Sequence, residues 1–168
     1  LVSLVDDHRQ YFAAQAGTPE ELRRDRQTPL SHSFCQYVVE DQAELVIEDS
    51  RDVARVAGNG ALTDMNVIAY AGVPLATPDG IVYGSLCAID HQPRQWSESD
   101  LETLHALGEA VASEIEVRAL LAEREEALAT EVLIRARLEA KRKRLMMLAR
   151  IGEIVDAIED HRELAHAV

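Results

Sequence analysis

Ala69 to Asp90 reads AYAGVPLATPDGIVYGSLCAID, and the way this stretch folds decides the fold. Two apolar runs flank Thr77-Pro78-Asp79-Gly80. Pro78 pre-sets φ for a type I turn, Asp79 can fold its side chain back onto the chain, and Gly80 accepts a positive φ. The segment is therefore a β-hairpin. With a three-residue loop and a bulge at Gly80, Leu75 is expected to face Tyr83, Val73 to face Ser85 and Ala71 to face Cys87 on one side of the sheet. Pro74, Gly84, Gly72 and Leu86 then fall on the other. Glycine weakens a strand interior, so Gly72 and Gly84 mark a bulge, a sharp twist, or the close approach of another backbone or a ligand. Tight packing under a helix is the plainer explanation for either one.

On the N-terminal side of the hairpin, Leu1 to Val5 and Gln10 to Ala14 read as two strands around a turn at Asp6 and Asp7. Thr28 and Pro29 are expected to start a helix, because proline fits the first helical position and Leu30, Phe34, Val38 and Val39 share a face. Glu44 to Glu48 is a short strand. Arg51 to Asn66, with Gly58, Asn59 and Gly60 inside it, is irregular or briefly helical and has the flexibility of a lid over a pocket. Hairpin-linked strands with helices grouped before and after them give an antiparallel sheet flanked by helices, of the α+β class.

The C-terminal side is built differently. All five prolines and every aromatic residue lie at or before Trp96. From Ser97 onward the chain is rich in Ala, Leu, Glu and Arg, which lose little side-chain freedom in a helix. Ser97 can cap the first turn, Asp100 favours the positive end of the dipole, and Trp96 with Leu101 occupy the positions of a hydrophobic staple. Leu101, Leu104, Gly108, Val111 and Ile115 form a narrow apolar stripe. Beyond Ile115 the stripe drifts through Leu121, Leu128, Val132 and Leu138. A continuous helix from Ser97 to Arg144 would extend ~70 Å, at 1.5 Å per residue, and would need a partner; the broken heptad argues for a homodimeric coiled coil. A solvated monomeric helix laced with Glu-to-Arg pairs is the alternative. From Leu145 the chain turns apolar again, and Leu145, Leu148, Ile151, Val155 and Ile158 keep helical spacing. The expected organisation is a globular domain over 1–118, a coiled-coil helix over 119–144, and the start of a following helical element over 145–168.

Composition narrows the function classes. Seventeen basic against 30 acidic side chains give a net charge of -13, which disfavours binding to nucleic acid or to an anionic membrane surface. The basic cluster from Arg135 to Arg144 has no aromatic neighbour to stack a base and reads as one solvated helix face. No apolar run reaches the ~20 residues of a bilayer span, and the two cysteines suit a reduced compartment, so a cytoplasmic location is expected. The chain opens on Leu1 rather than Met and reads as a piece of a longer protein.

Four blocks resemble a known family, the GAF domains of signalling proteins: Leu1 to Asp7 (LVSLVDD), Pro29 to Cys35 (PLSHSFC), Ala69 to Leu75 (AYAGVPL) and Gly84 to Asp90 (GSLCAID). In order and spacing they cover residues 1 to about 118. The chain looks most like bacterial modules that sit upstream of histidine kinases, metal-dependent serine phosphatases or diguanylate cyclases. Arg144 to Val155 is similar to the helix that opens a following sensor domain in such proteins. The family's usual first helix, before the first strand, is absent, which leaves open how the outer face of the sheet is covered. The Asn-Lys…Phe…Asp-Glu signature of cyclic-nucleotide binders is not found. The Cys-His pair of bilin binders is not matched either, since Ala88 follows Cys87. The free methionine sulfoxide reductases of this fold rely on three cysteines, and this chain has two.

The resemblance implies a regulatory domain, without catalytic residues of its own, that binds a small molecule; no cofactor is identified. The residues expected to line the pocket are Phe34, Tyr70, Gly72, Tyr83, Ser85 and Cys87, with Met65 and Asn66 from the lid, and Ser85 and the tyrosine hydroxyls as polar anchors. Two other chemistries are open to the residues. His32 with Cys35, and Cys87 with His91, have spacings compatible with a Cys2His2 zinc site, although nothing in the sequence brings the pairs together. Cys35 near a helix start is also a candidate nucleophile or redox-sensing thiol, against its plainer role as a small buried hydrophobe. A structural dimerisation module with its pocket filled by Tyr70, Tyr83 and Met65 is the rival reading.

Overall fold

The computed structural model describes the backbone of residues 1–166 and the side chains of residues 1–154, and the chain divides into two units, Leu1–Val117 and Arg118–Val168. The first unit is built on six strands: β1 (Val2–Val5), β2 (Arg9–Ala14), β3 (Gln27–Pro29), β4 (Leu45–Ile47), β5 (Ala69–Ala76) and β6 (Val82–Asp90). They form one antiparallel sheet in the order β3-β2-β1-β6-β5-β4. Helices α1 (Glu20–Asp25), α2 (Cys35–Asp41), α3 (Gly60–Thr63) and α4 (Glu98–His166) complete the chain, so the α+β reading holds.

The central hairpin forms where expected, but its register is corrected. Thr77 N donates to the Ile81 carbonyl and Gly80 N to that of Thr77, which closes the turn. Ala76 pairs with Val82 in line with the expected register, yet the next pair is Leu75 with Gly84, so Tyr83 is an extra, bulged residue. One inserted residue exchanges the partners along the rest of the ladder. Gly72 therefore pairs with Cys87, Pro74 with Ser85 and Tyr70 with Ile89, while Val73 pairs with Leu86 and Ala71 with Ala88. Tyr70, Gly72, Ser85 and Cys87 share one face as a result; Ala71, Val73 and Leu75 share the other. On that second face a Cβ at Gly108 of α4 would meet Val73 Cγ2 at 2.9 Å, so the helix lies close against the strand. This contact covers the face that the sequence left open. Where β1 runs beside β6, a Cβ at Gly84 would strike the Ser3 carbonyl, and glycine is what lets the two backbones approach.

The second helix starts later than Pro29. Thr28, which pairs with Gln10, stays extended, as the residue before a proline prefers, and a single 3₁₀ turn over Leu30–His32 follows. Ser33 is extended and its Oγ accepts from Gln36 N at 3.2 Å, so Ser33 rather than Pro29 prepares the start of α2. α1 falls in a stretch with no apolar periodicity. Its signal is electrostatic, with Glu20 and Glu21 in the first turn and Arg23 and Arg24 in the last. At the start of α4, Ser97 N donates to Asp100 Oδ2 at 3.0 Å and Asp100 N donates to Ser97 Oγ at 3.2 Å, a reciprocal cap. Trp96 Nε1 donates to the Ile47 carbonyl at 3.1 Å and ties this cap to the edge strand.

In the second unit the backbone is that of α4. Its apolar side chains from Leu120 to Ile154, including Leu121, Leu128, Val132 and Leu138 of the expected stripe, are exposed. The side chains of Val155 and Ile158, which extend the stripe after Leu145, lie outside the described residues. No helix among the described residues is long and apolar enough to cross a membrane.

Candidate functional site

The face of the sheet that carries Tyr70 and Cys87 does not pack uniformly. Toward β4 it is sealed by α2 and the following turns, where Phe34, Val38, Ile47, Val56, Val67 and Tyr70 belong to one buried cluster. Toward β2 a cavity of about 770 Å³ opens. Its floor is the sheet, through Leu1, Gln10, Phe12, Tyr70, Cys87 and Ile89. Its walls are His32, Phe34 and Cys35 on one side, Ala61, Asp64, Met65 and Val67 on a second, and Ala16 to Pro19 with Glu21 and Leu22 of α1 on a third. The volume falls in the range of sites that bury a small molecule.

Gln10 and Thr18 are buried polar residues of the lining, and the charged and imidazole groups stand nearer the rim. His32 Nε2 lies 2.9 Å from Asp64 Oδ2, joining the 3₁₀ turn to α3 across the wall. The Asp64 carboxyl is held below its ordinary range by the Thr63 hydroxyl and then by His32. A Cβ at Gly60 would run into the His32 ring, so the imidazole lies directly on the backbone of α3. His91 Nδ1 donates to the Asn66 carbonyl at 2.8 Å, fixing the end of the lid to the end of β6. On the floor, Gln10 Oε1 accepts from the Ser33 hydroxyl, which anchors the segment before α2.

Below the floor is a hydrogen-bonded cluster. Tyr70 Oη donates to Cys35 Sγ at 3.2 Å and lies 3.3 Å from Ser85 Oγ. The Cys35 and Cys87 sulfurs are 3.7 Å apart, and both residues line the cavity. A hydrogen bond from Cys87 pulls the Cys35 thiol down to about 7 against the opposing effect of burial, with Tyr70 assisting. The same contact, with burial, pushes the Cys87 thiol up. The two thiols therefore titrate as a pair that releases one proton easily and the second with difficulty. Burial, and then the two cysteines, push the Tyr70 hydroxyl up as well, so it remains a donor. Ser3 Oγ, on the same face and fully buried, has no hydrogen-bond partner among the described residues. Its hydroxyl adds to the lowering of the Cys35 thiol.

Of the residues read as pocket lining, Phe34, Met65, Tyr70 and Cys87 meet around the cavity. The other four stand outside its lining. Ser85 lies beneath Tyr70. Gly72 is covered by the Tyr70 ring, since a Cβ there would run into the hydroxyl and Cζ of that ring. Asn66 contributes its carbonyl to His91 and adopts a left-handed backbone, φ 53. Tyr83 is the bulged residue of β6, and its hydroxyl is pushed up by partial burial and then by the Glu116 carboxylate of α4. The wall built from Ala16 to Leu22 was not anticipated. The structure brings Cys35 of one candidate zinc pair against Cys87 of the other, but among the described residues no three His, Cys, Asp or Glu side chains gather around a common point.

An antiparallel sheet with a cavity on one face and a helix along the other places the chain among compact α+β domains of known architecture. The family model described as GAF domain matches residues 1–115, and the chain belongs to that family. It is 34% identical over 117 residues to the cyclic di-GMP phosphodiesterase PA2567 of Pseudomonas aeruginosa, covering 68% of this chain and 19% of that protein. It is 33% identical over 67 residues to the diguanylate cyclase DgcP of Escherichia coli, covering 40% of this chain and 20% of that protein. The chain thus spans about a fifth of the length of these curated relatives. Its fold is similar to that of the GAF domain from an Acinetobacter phosphoenolpyruvate-protein phosphotransferase, with a TM-score of 0.58 and 19% identity over 73% of this chain and 72% of that one.

Proposed function

We propose that this GAF domain is the sensory module of a multidomain signalling protein, and that it binds a small molecule in the cavity between the sheet and the α1, α2 and α3 segments. The cavity itself is the observation that carries the reading. A self-filled structural module would have Tyr70, Tyr83 and Met65 packed together; instead Tyr70 and Met65 border open space, and Tyr83 lies outside the cavity lining. Apolar walls with a few polar groups suit a compact, partly apolar metabolite. Occupancy would favour one arrangement of the lid and the His32–Asp64 contact over another, and the differential binding energy would be passed on by population shift. The exposed apolar residues of α4 after Arg118 would pair with a second copy of the chain and carry that change to an output domain. The names of the two curated relatives favour an enzyme of cyclic dinucleotide turnover as that output, over a histidine kinase or a serine phosphatase.

The test is a thermal-shift screen of small metabolites on the wild type and on Met65→Trp, which places a large ring in the cavity wall. A metabolite that raises the melting temperature of the wild type and not of the variant supports the site. A panel that stabilises neither protein, or both equally, contradicts it.

A further inference from the structure

The paired thiols have no part in that reading. A buried cysteine can serve as a small hydrophobe, but packing alone requires neither that two thiols touch nor that a hydroxyl be aimed at one of them. Cys35 comes from the first turn of α2 and Cys87 from the middle of β6, 52 positions apart, and their sulfurs are in contact at 3.7 Å. Tyr70 Oη donates to the Cys35 sulfur, and Ser85 Oγ stands behind Tyr70 in position to donate to it in turn. Ser3 Oγ is a further buried hydroxyl on this face, with no other hydrogen-bond partner among the described residues. Negative charge on Cys35 would thus be met by donors already in place, at the position where the cavity admits a small reactant.

We propose that Cys35 and Cys87 are a dithiol site at which a hydroperoxide entering the cavity forms a reversible intramolecular disulfide. The Cys35 thiolate attacks one oxygen of the peroxide; an S–O bond forms, the O–O bond breaks, and the departing alkoxide takes the proton that Cys35 released. The Cys87 sulfur then attacks the sulfenyl sulfur of Cys35. The S–S bond forms, the S–O bond breaks, and hydroxide leaves with the Cys87 proton as water. Two thiols supply two electrons, and the hydroperoxide is reduced to an alcohol and water. Cys35 is the attacking group because Tyr70 Oη donates to its sulfur and would stabilise a thiolate there, with the Cys87 sulfur in contact on the other side. Closing the bond shortens the sulfur separation to ~2.05 Å, which draws the start of α2 toward β6 and removes the thiolate that Tyr70 would face. The wall and floor of the cavity would change together. The site does not depend on which metabolite the cavity binds.

The experiment treats the purified full chain with hydrogen peroxide, quenches it, blocks remaining thiols with an alkylating reagent, and measures intact mass and melting temperature. The expected product is the monomer-mass species that has lost two hydrogens, takes up no alkyl group, melts at a higher temperature and returns to two alkylatable thiols with dithiothreitol. In Cys87→Ser, oxidation should instead add oxygen at Cys35, because no resolving thiol is present. Two free thiols after peroxide treatment of the folded wild type, a disulfide only between chains, or oxygen addition at both cysteines without S–S formation would overturn the proposal. The metabolite screen reads a different property, so either proposal can fail while the other stands.

Discussion

In Leu1–Val117 a core of large apolar side chains is enclosed, with Leu75 and Val38 at 0% exposure and Tyr70 at 1%, whereas after Arg118 Leu128, Val132, Leu133 and Leu138 each leave more than half their surface open. The chemistry of the side chains is the same and their surroundings are not. At roughly 25 cal/mol per Å² of apolar surface removed from water, the first unit gains its stabilisation from its own sheet and helices. The second has helix propensity and occasional charge pairs such as Arg135 with Glu139, 3.6 Å apart. Such pairs contribute only about 0.2–0.5 kcal/mol each. The contrast teaches that the first unit encloses a core of its own, while the helix beyond it leaves its apolar side chains exposed.

Substitutions can break or sharpen this contrast. The largest effect is expected at Leu75, where Leu75→Ala should cost about 2–5 kcal/mol in chemical unfolding. Leu133→Ala in the helix, at a residue 74% exposed and off the expected stripe, should stay within about 0.5 kcal/mol. Equal losses at the two positions would erase the distinction. Next comes Gly84→Ala, whose new methyl meets the Ser3 carbonyl and forces β1 and β6 apart; about 1–3 kcal/mol is expected. A neutral result would mean that the strands separate freely. Ser97→Ala removes the reciprocal cap of α4 and should cost about 1 kcal/mol, and Ser97→Asp should recover most of it.

The smallest effect is a pH dependence at the same cap. The Ser97 backbone N–H, then its hydroxyl, and more weakly Arg94, hold the Asp100 carboxyl below its ordinary 3.8. A depressed folded-state pKa contributes stability that is present above the ordinary value and is lost as pH falls through the folded value. Between pH 5 and 3 the wild type should therefore lose more stability than Asp100→Asn. Parallel curves would show that the cap carries no charge-dependent stabilisation.

The sequence disclosed the hairpin, the start of α4 and the antiparallel order, because turn residues, a cap and helix propensity are local signals. It misled where one residue decides the geometry. The bulge at Tyr83 exchanged the hairpin partners, and with them the grouping of Gly72 and Pro74 with Leu86 and of Val73 with Ser85. Gly72 read as space beside the sheet, but Tyr70, two positions earlier on the same face, already lies over it. No local pattern reports that. The cavity wall from Ala16 to Leu22 was missed because α1 has only Leu22 as an aliphatic anchor. Glu20 and Glu21 followed by Arg23 and Arg24 were its available signal. The contact between Cys35 and Cys87 joins positions 52 apart and could be seen only once α2 was laid on β6.

The claim that the first unit supplies its own core while the helix takes its partner from a second copy is tested most directly by light scattering on the full chain and on residues 1–118. The account predicts a dimer for the full chain and a folded monomer for residues 1–118, with the near-ultraviolet circular dichroism of its aromatic core retained. Two monomers would remove the paired helix from the account, and a dimer that survives the truncation would place the interface on the domain.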